Sequence, residues 1–209
     1  MVRPHFGEGD LALDPSKCVF INCPFDAEYA PLFDAIVFAA VSCGFVPRSA
    51  LESGTVSEPR ITRILRALFS SKYSIHDLSR CTGEGSDNTA RFNMPLELGM
   101  AMARRFMEPA NEHDWLVLVP VGHSYARFVS DLAAYDPATH DGSVTGVIVA
   151  VMSWLATRKD AVPPVTPKDV MALLPEFQKR RYALNEMWGG FPPWAEVIMT
   201  AIDVAKQLS

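Results

Sequence analysis

The sequence predicts an α/β fold: a doubly wound parallel sheet with a helical C-terminal elaboration. Three observations carry that expectation. Segments of strand length recur at residues 17–22, 45–49, 72–78 and 115–120, and the first and last are almost wholly apolar, as strands buried on both faces are. Between them lie stretches with apolar residues at steps of three and four, so the order reads β-α-β-α-β-α-β. Past Asp131 the alternation gives way to helical patterning alone. Strict alternation requires crossover connections, which make the strands parallel and place helices on both faces of the sheet.

Each element has its own local signal. The first strand, residues 17–22, stops at Pro24, and Tyr29, Leu32, Phe33, Ile36, Val37 and Ala40 then form a helical stripe that Gly44 ends. After the second strand, Ser57 or Glu58 is expected near a helix cap, with Pro59 in the first turn and Ile61, Ile64, Leu65, Leu68 and Phe69 as the buried stripe. Arg60, Arg63 and Arg66 share a spacing of three and read as a solvated face of that helix. The third strand leads into a polar stretch, residues 80–91, with Gly83, Gly85, Ser86, Asp87 and Asn88, long enough to act as a lid. The next helix begins near Asn93 as cap, with Pro95 in its first turn, and precedes the fourth strand. Residues 144–155 then read as an apolar helix, 163–167 as a stiff proline linker, and 168–187 and 194–208 as two further helices. Lys179, Arg180 and Arg181 read as exposed helix surface, and Trp188, beside Gly189 and Gly190, as packing for the C-terminal helices. The expected division is a flexible segment at residues 1–16, an α/β domain at 17–157 and a helical elaboration at 158–209.

Composition narrows the function. Apolar residues make up 49% of 209, enough for one sizeable core. A formal charge of -5 argues against a nucleic-acid footprint, which relies on clustered Lys and Arg. No apolar run reaches the roughly 18 to 20 residues of a bilayer span, and the first 17 residues lack a secretion signal, so a cytoplasmic protein without membrane attachment is expected. Cys18, Cys23, Cys43 and Cys81 show no metal-binding or redox spacing; they are expected to be reduced and buried, with no metal. Neither a phosphate-binding Gly-x-x-x-x-Gly-Lys loop nor a dinucleotide-binding Gly-x-Gly-x-x-Gly motif is present.

In doubly wound sheets ligands bind beyond the carboxyl ends of the strands. That rule selects Asn22 and Asp26 after the first strand, Arg48 at the end of the second, and Asp77, Ser79 and Arg80 at the end of the third. Glu97 joins them: a cap at Asn93 would put it in the opening turn of its helix, where the dipole favours the ionised form. A carboxylate at the mouth of such a cleft suits cleavage of an N-glycosidic bond, whose transition state places positive charge on the sugar. It suits equally well a plain first-turn acid. His76 reads as a packed histidine with a fixed tautomer, and His140, between Asp136 and Asp141, as a proton carrier or a loop anchor; both would act from behind the ligand-contacting residues.

The segment Tyr73-Ser-Ile-His-Asp-Leu-Ser-Arg80 and the helix Arg91-Phe-Asn-Met-Pro-Leu-Glu-Leu-Gly-Met-Ala101 resemble the strand and Asn-x-x-x-Glu-Leu-Gly-x-Ala helix shared by TIR-like nucleotide-binding proteins and nucleoside 2-deoxyribosyltransferases. The runs Phe20-Ile-Asn-Cys-Pro-Phe-Asp26, Cys43-Gly-Phe-Val-Pro-Arg48 and Ser130-Asp-Leu-Ala-Ala-Tyr-Asp-Pro-Ala-Thr-His140 also resemble a bacterial group of TIR-like proteins. The resemblance spans roughly residues 17 to 157 and implies a flavodoxin-like, TIR-like fold. It implies further that Glu97 is the catalytic carboxylate and that Asp77 helps bind sugar or base; beside them, Asn22 and Asp26 are expected to orient ribose hydroxyls or base, Ser79 and Asn93 to contact the substrate, and Arg48 or Arg80 to meet phosphate. The function it implies is hydrolysis of a nucleotide N-glycosyl bond, with NAD the leading substrate and no cofactor, in a homo-oligomer that completes its own pockets. The alternatives are a non-catalytic nucleotide-sensing or protein-interaction module of the same fold, and a deoxyribosyltransferase-like enzyme.

Overall fold

A computed structural model of the chain describes residues 13–52, 58–81, 92–109, 112–127, 129–132, 135–162 and 165–208. Five strands, β1 (Cys18–Asn22), β2 (Val46–Ser49), β3 (Tyr73–Asp77), β4 (Asp114–Pro120) and β5 (Ala138–His140), form one sheet in the order β2-β1-β3-β4-β5. Every neighbouring pair is parallel. Six helices accompany it: α1 (Ala30–Ser42), α2 (Arg60–Phe69), α3 (Asn93–Met107), α4 (Val144–Leu155), α5 (Pro167–Met187) and α6 (Trp194–Ala205). This is the flavodoxin-like doubly wound arrangement with a helical C-terminal part.

Alternation along the strands divides the core. Val19, Ile21, Tyr73, Ile75, Leu116 and Leu118 point to one face, where α1, α4, α5 and α6 supply the rest of the largest apolar cluster. Phe20 points to the other face with Ile64, Ala67 and Leu68 of α2 and Ala101 of α3. Val117 and Val119 do the same with Met94 and Leu98. The strand order reverses between β1 and β3, and Asn22 and Asp77 stand at the carboxyl ends of those two strands, where a doubly wound sheet forms its ligand crevice.

Gly44 ends α1 as a Schellman cap. Its φ is +83°, its N–H donates to the Val41 carbonyl, and the Phe45 N–H donates to the Ala40 carbonyl. The C-terminal part starts with a capping box in which the Thr166 and Asp169 side chains each accept from the other's backbone N–H. The rings of Phe38 and Phe177 stack at 5.3 Å, and Trp194 donates its indole N–H to the Pro47 carbonyl at 3.0 Å, so α5 and α6 are built onto α1 and β2.

Several expectations need correction. The sheet has a fifth strand, Ala138–His140, within the stretch read as loop; it is three residues long and carries no apolar run. Pro59 stands at the N-cap of α2, one position before the first turn. Arg181 is no exposed surface cation: it pairs with Asp34, and its guanidinium lies 5.1 Å from the Phe33 ring centre. Trp188 is half exposed and Phe191 is 87% exposed, so this corner does not pack the C-terminal helices. Within the expected flexible segment, residues 13–16 are described, and the Lys72 N–H donates to the Pro15 carbonyl at 2.9 Å. Residues 1–12, the expected lid at 82–91 and the expected cap Ser57 lie outside the described residues. All four cysteines are free and buried. No described helix is long and apolar enough to cross a membrane.

Candidate functional site

The crevice is built from the loops that leave β1 and β3 and from the start of α3. Asn22, the last residue of β1, is 3% exposed and turns its amide NH2 to the Met94 carbonyl at 2.9 Å, which ties the strand end to the first turn of α3. The same NH2 lies 2.9 Å from His76 Nδ1. The Asn22 Oδ1 accepts no hydrogen bond from a described residue.

Glu97 is the fifth residue of α3, because the helix starts at Asn93 and its N-cap is Phe92, which makes no side-chain cap. It therefore lies beyond the opening turn, and Asn93 is an exposed helical residue, not the cap expected from sequence. Glu97 falls on the stripe with Met94, Leu98, Ala101 and Arg104 that faces the sheet, and it is 6% exposed. Burial pushes its carboxyl up to about 7, against a smaller opposing pull from the Arg60 guanidinium. The expected stabilisation of the ionised form by the helix dipole is thus outweighed: that dipole fades within the first turn, whereas desolvation acts on the whole charge. No described residue donates a hydrogen bond to this carboxyl.

Asp77 ends β3 with no exposed surface, and its carboxyl is already engaged. Tyr29 donates its hydroxyl to Oδ2 at 2.6 Å, and the Ser79 N–H donates to Oδ1 at 2.7 Å. His140 Nε2 lies 3.3 Å from Oδ2, within ion-pair distance although outside hydrogen-bond geometry, while its Nδ1 accepts from the Gly142 N–H at 3.1 Å. Nδ1 of His140 is thus held by the turn after β5, while Nε2 faces Asp77 without a hydrogen-bond partner among the described residues. Burial, then the charges of Asp77 and Glu97, push the Cys23 thiol well above the ordinary range and keep it protonated.

The remaining selected residues are drawn into the scaffold. Asp26 accepts the Tyr29 N–H at 3.0 Å and so helps start α1, and Arg80 reaches both Asp26 at 3.1 Å and Glu28 at 2.8 Å, linking the β1 and β3 loops. Arg48 makes a two-pronged pair with Glu52 at 2.6 and 2.7 Å and donates to Ser70 at 3.1 Å. The structure therefore brings Asn22, Asp77, Ser79, Asp26, Arg80 and Glu97 to one crevice and binds Arg48 into a separate pair.

Sequence reasoning missed Tyr29 as the donor to Asp77, Arg60 as the cation near Glu97, and a buried polar chain behind Asn22 through Ser74 and His113. A histidine immediately before an apolar strand was the one visible signal for the chain. Two open grooves lie elsewhere: about 740 Å3 beside β5 and α4, including one side of His140, and about 590 Å3 between α1 and α6 near Val162. Neither is lined by Glu97 or Asn22. Chemistry points to the switch point, where the Glu97 carboxyl accepts no hydrogen bond from a described residue and the Asn22 amide is tied through its NH2 to Met94, in the first turn of the same helix. Among the described residues no group of three or more His, Cys, Asp or Glu is placed to hold a metal ion.

No protein-family model matches the chain, and no curated protein or solved structure matches it.

Proposed function

We propose that this chain cleaves the N-glycosidic bond of a nucleotide, with NAD the leading substrate and Glu97 the carboxyl that meets the sugar cation. One observation carries the reading: Glu97 is buried at the switch-point crevice, with no hydrogen bond from a described residue and a proton affinity raised to about 7. A carboxylate already neutralised by a close partner has little left to offer a developing cation. One that is desolvated and unpaired gains most when positive charge arises beside it, which is stabilisation of the transition state above the ground state. The nicotinamide of NAD leaves as a neutral base, so the reaction requires no metal. The resemblance of the Glu97-Leu98-Gly99 helix to that of TIR-like and deoxyribosyltransferase proteins supports the same assignment.

The scaffold pairs of Arg48 and Arg80 bear on the substrate. Their guanidiniums are committed to Glu52, and to Asp26 and Glu28, so a phosphate would have to compete with carboxylates for either. That favours recognition through the sugar, and it keeps a nucleoside deoxyribosyltransferase-like activity as the second reading. The test is incubation of the protein and Glu97→Gln, at low and high protein concentration, with NAD and a panel of deoxynucleosides, followed by chromatography of released base. Release by the wild type, reduced at least about 100-fold in the variant, is the expected result. Equal release by both proteins would remove Glu97 from the chemistry. No release by either, with both melting higher in the presence of a nucleotide, would make the crevice a sensor.

A further inference from the structure

Asn22 stands at the crevice end of a hydrogen-bonded chain that runs through the interior of the sheet. Its Nδ2 lies 2.9 Å from the Met94 carbonyl oxygen and 2.9 Å from His76 Nδ1. His76 Nε2 lies 2.9 Å from Ser74 Oγ, and Ser74 Oγ lies 3.1 Å from His113 Nε2. His113 Nδ1 closes the chain 3.1 Å from the Ser71 carbonyl oxygen. Ser74, His76 and His113 have no exposed surface.

Both ends of this chain are backbone carbonyls, which can only accept, and each end therefore fixes a direction. From the crevice end, the Asn22 atom facing Met94 must be the NH2, so His76 Nδ1 accepts and Nε2 carries the proton. Ser74 accepts from Nε2 and gives its own hydrogen to His113 Nε2. The proton of His113 is then on Nδ1, facing the Ser71 carbonyl, which can only accept. Starting from Ser71 leads back to the same assignment, so the chain closes without a mismatch. Arg104 Nη1 also comes within hydrogen-bond geometry of His113 Nδ1 at 3.2 Å, but its bonds to the Leu68 and Ser71 carbonyls at 2.7 and 2.6 Å are shorter, and a bare Nδ1 would stand 3.1 Å from the Ser71 oxygen as two acceptors in contact. Burial holds His76 down to about 3, and burial with the Arg104 charge holds His113 down to about 4, so both rings are neutral as the chain requires.

Reversing the chain would set the Asn22 oxygen 2.9 Å from the Met94 oxygen, two acceptors in contact. We infer that His76, Ser74 and His113 are positioning residues that hold Asn22 with its Oδ1 as a fixed acceptor at the crevice, so that the crevice selects a ligand presenting a hydroxyl donor there, a pentose hydroxyl. The choice of a pentose rests on the proposed nucleotide reading; the direction of the chain does not. An acceptor that a bound ligand closes off from water discriminates strongly against a ligand without the matching donor, because it is then left unpaired.

The test joins 15N NMR of the histidine rings with binding of adenosine and 2′,3′-dideoxyadenosine to the wild type, Ser74→Ala and Ser74→Thr. The expected spectrum has His76 protonated at Nε2 and His113 at Nδ1. Adenosine should bind the wild type at least about tenfold more tightly than the dideoxy analogue, the worth of one well-placed hydrogen bond. In Ser74→Ala the His76 tautomer should become mixed and the discrimination weaken, with only the Met94 carbonyl left to direct the amide, and Ser74→Thr, which keeps the hydroxyl, should restore both. The opposite tautomer of either ring in the wild type overturns the positioning chain and needs no variant to fold. A changed His76 tautomer in Ser74→Ala with discrimination intact overturns it as well. Failure of both nucleosides to bind the wild type overturns the ligand class, while nicotinamide release, measured separately, judges the proposed reaction.

Discussion

The hydroxyl of Tyr29 donates to Oδ2 of Asp77 across 2.6 Å, joining the residue before α1 to the last residue of β3. Burial, with Asp77 alongside, raises the Tyr29 phenol well above its ordinary range, so it remains a donor throughout the accessible pH range. The contact spans the switch point and sets the relation of the β1 and β3 loops on which the crevice depends.

Removing that donor leaves a buried carboxyl short of one partner. Tyr29→Phe is expected to lower stability by about 1 to 3 kcal/mol, read as a shift of the urea midpoint at unchanged slope. A midpoint within error of the wild type would mean that the Ser79 N–H and His140 suffice for Asp77.

Glu97 makes stability depend on pH in an uncommon direction. Its folded value, about 7, lies above the ordinary glutamate value of 4.5, so between those limits the folded chain holds a proton that the unfolded chain has released. Stability contributed by the neutral carboxyl is therefore full below about pH 4.5 and is lost as the pH rises through 7. Glu97→Gln abolishes this term and is expected to exceed the wild type in stability at pH 8 by roughly 3 kcal/mol, as denaturant titrations at pH 5 and pH 8 would show. A variant that tracks the wild type at both values would place the carboxyl in solvent.

The two buried imidazoles act oppositely. His76 and His113 are held near 3 and 4 against an ordinary histidine value of 6.5, so on acidification the unfolded chain takes up protons first. Their contribution is present above about 6.5 and is lost as the pH falls toward 4. In a ring-proton NMR titration both should remain neutral at pH 5 and titrate only as the fold is lost. Titration of either at its ordinary value within the folded state would show that water reaches the chain.

Gly44 is expected to tolerate no side chain. At φ +83° any other residue is strained, and a Cβ there would stand 2.5 Å from a methyl carbon of Val162. Gly44→Ala should cost about 1 to 3 kcal/mol in thermal or urea unfolding. A neutral substitution would imply that the segment at Val162 moves aside, although its N–H donates to the Cys43 carbonyl.

Much of the architecture was legible because its signals are local. β1 and β4 are apolar runs, α4 begins and ends where its pattern does, and Gly44 marks the end of α1. β5 was not legible: Ala138–His140 has no pattern of its own and becomes a strand by pairing with Leu118, Val119 and Pro120. Arg181 shows the same limit, since a cation in a charged run reads as surface until Asp34 and Phe33 are folded against it.

The sequence by itself determined the doubly wound order, the ends of the strands where a ligand would sit, and the candidacy of Glu97, because each follows from periodicity, chain direction or a short motif. Tertiary structure alone decided that the Glu97 carboxyl is desolvated, that Asp77 is already occupied by Tyr29, and that Asn22 is directed through Ser74 and His113. Those outcomes depend on which polar groups meet in the interior after folding, and partners 39 to 54 positions apart leave no spacing for a sequence to display.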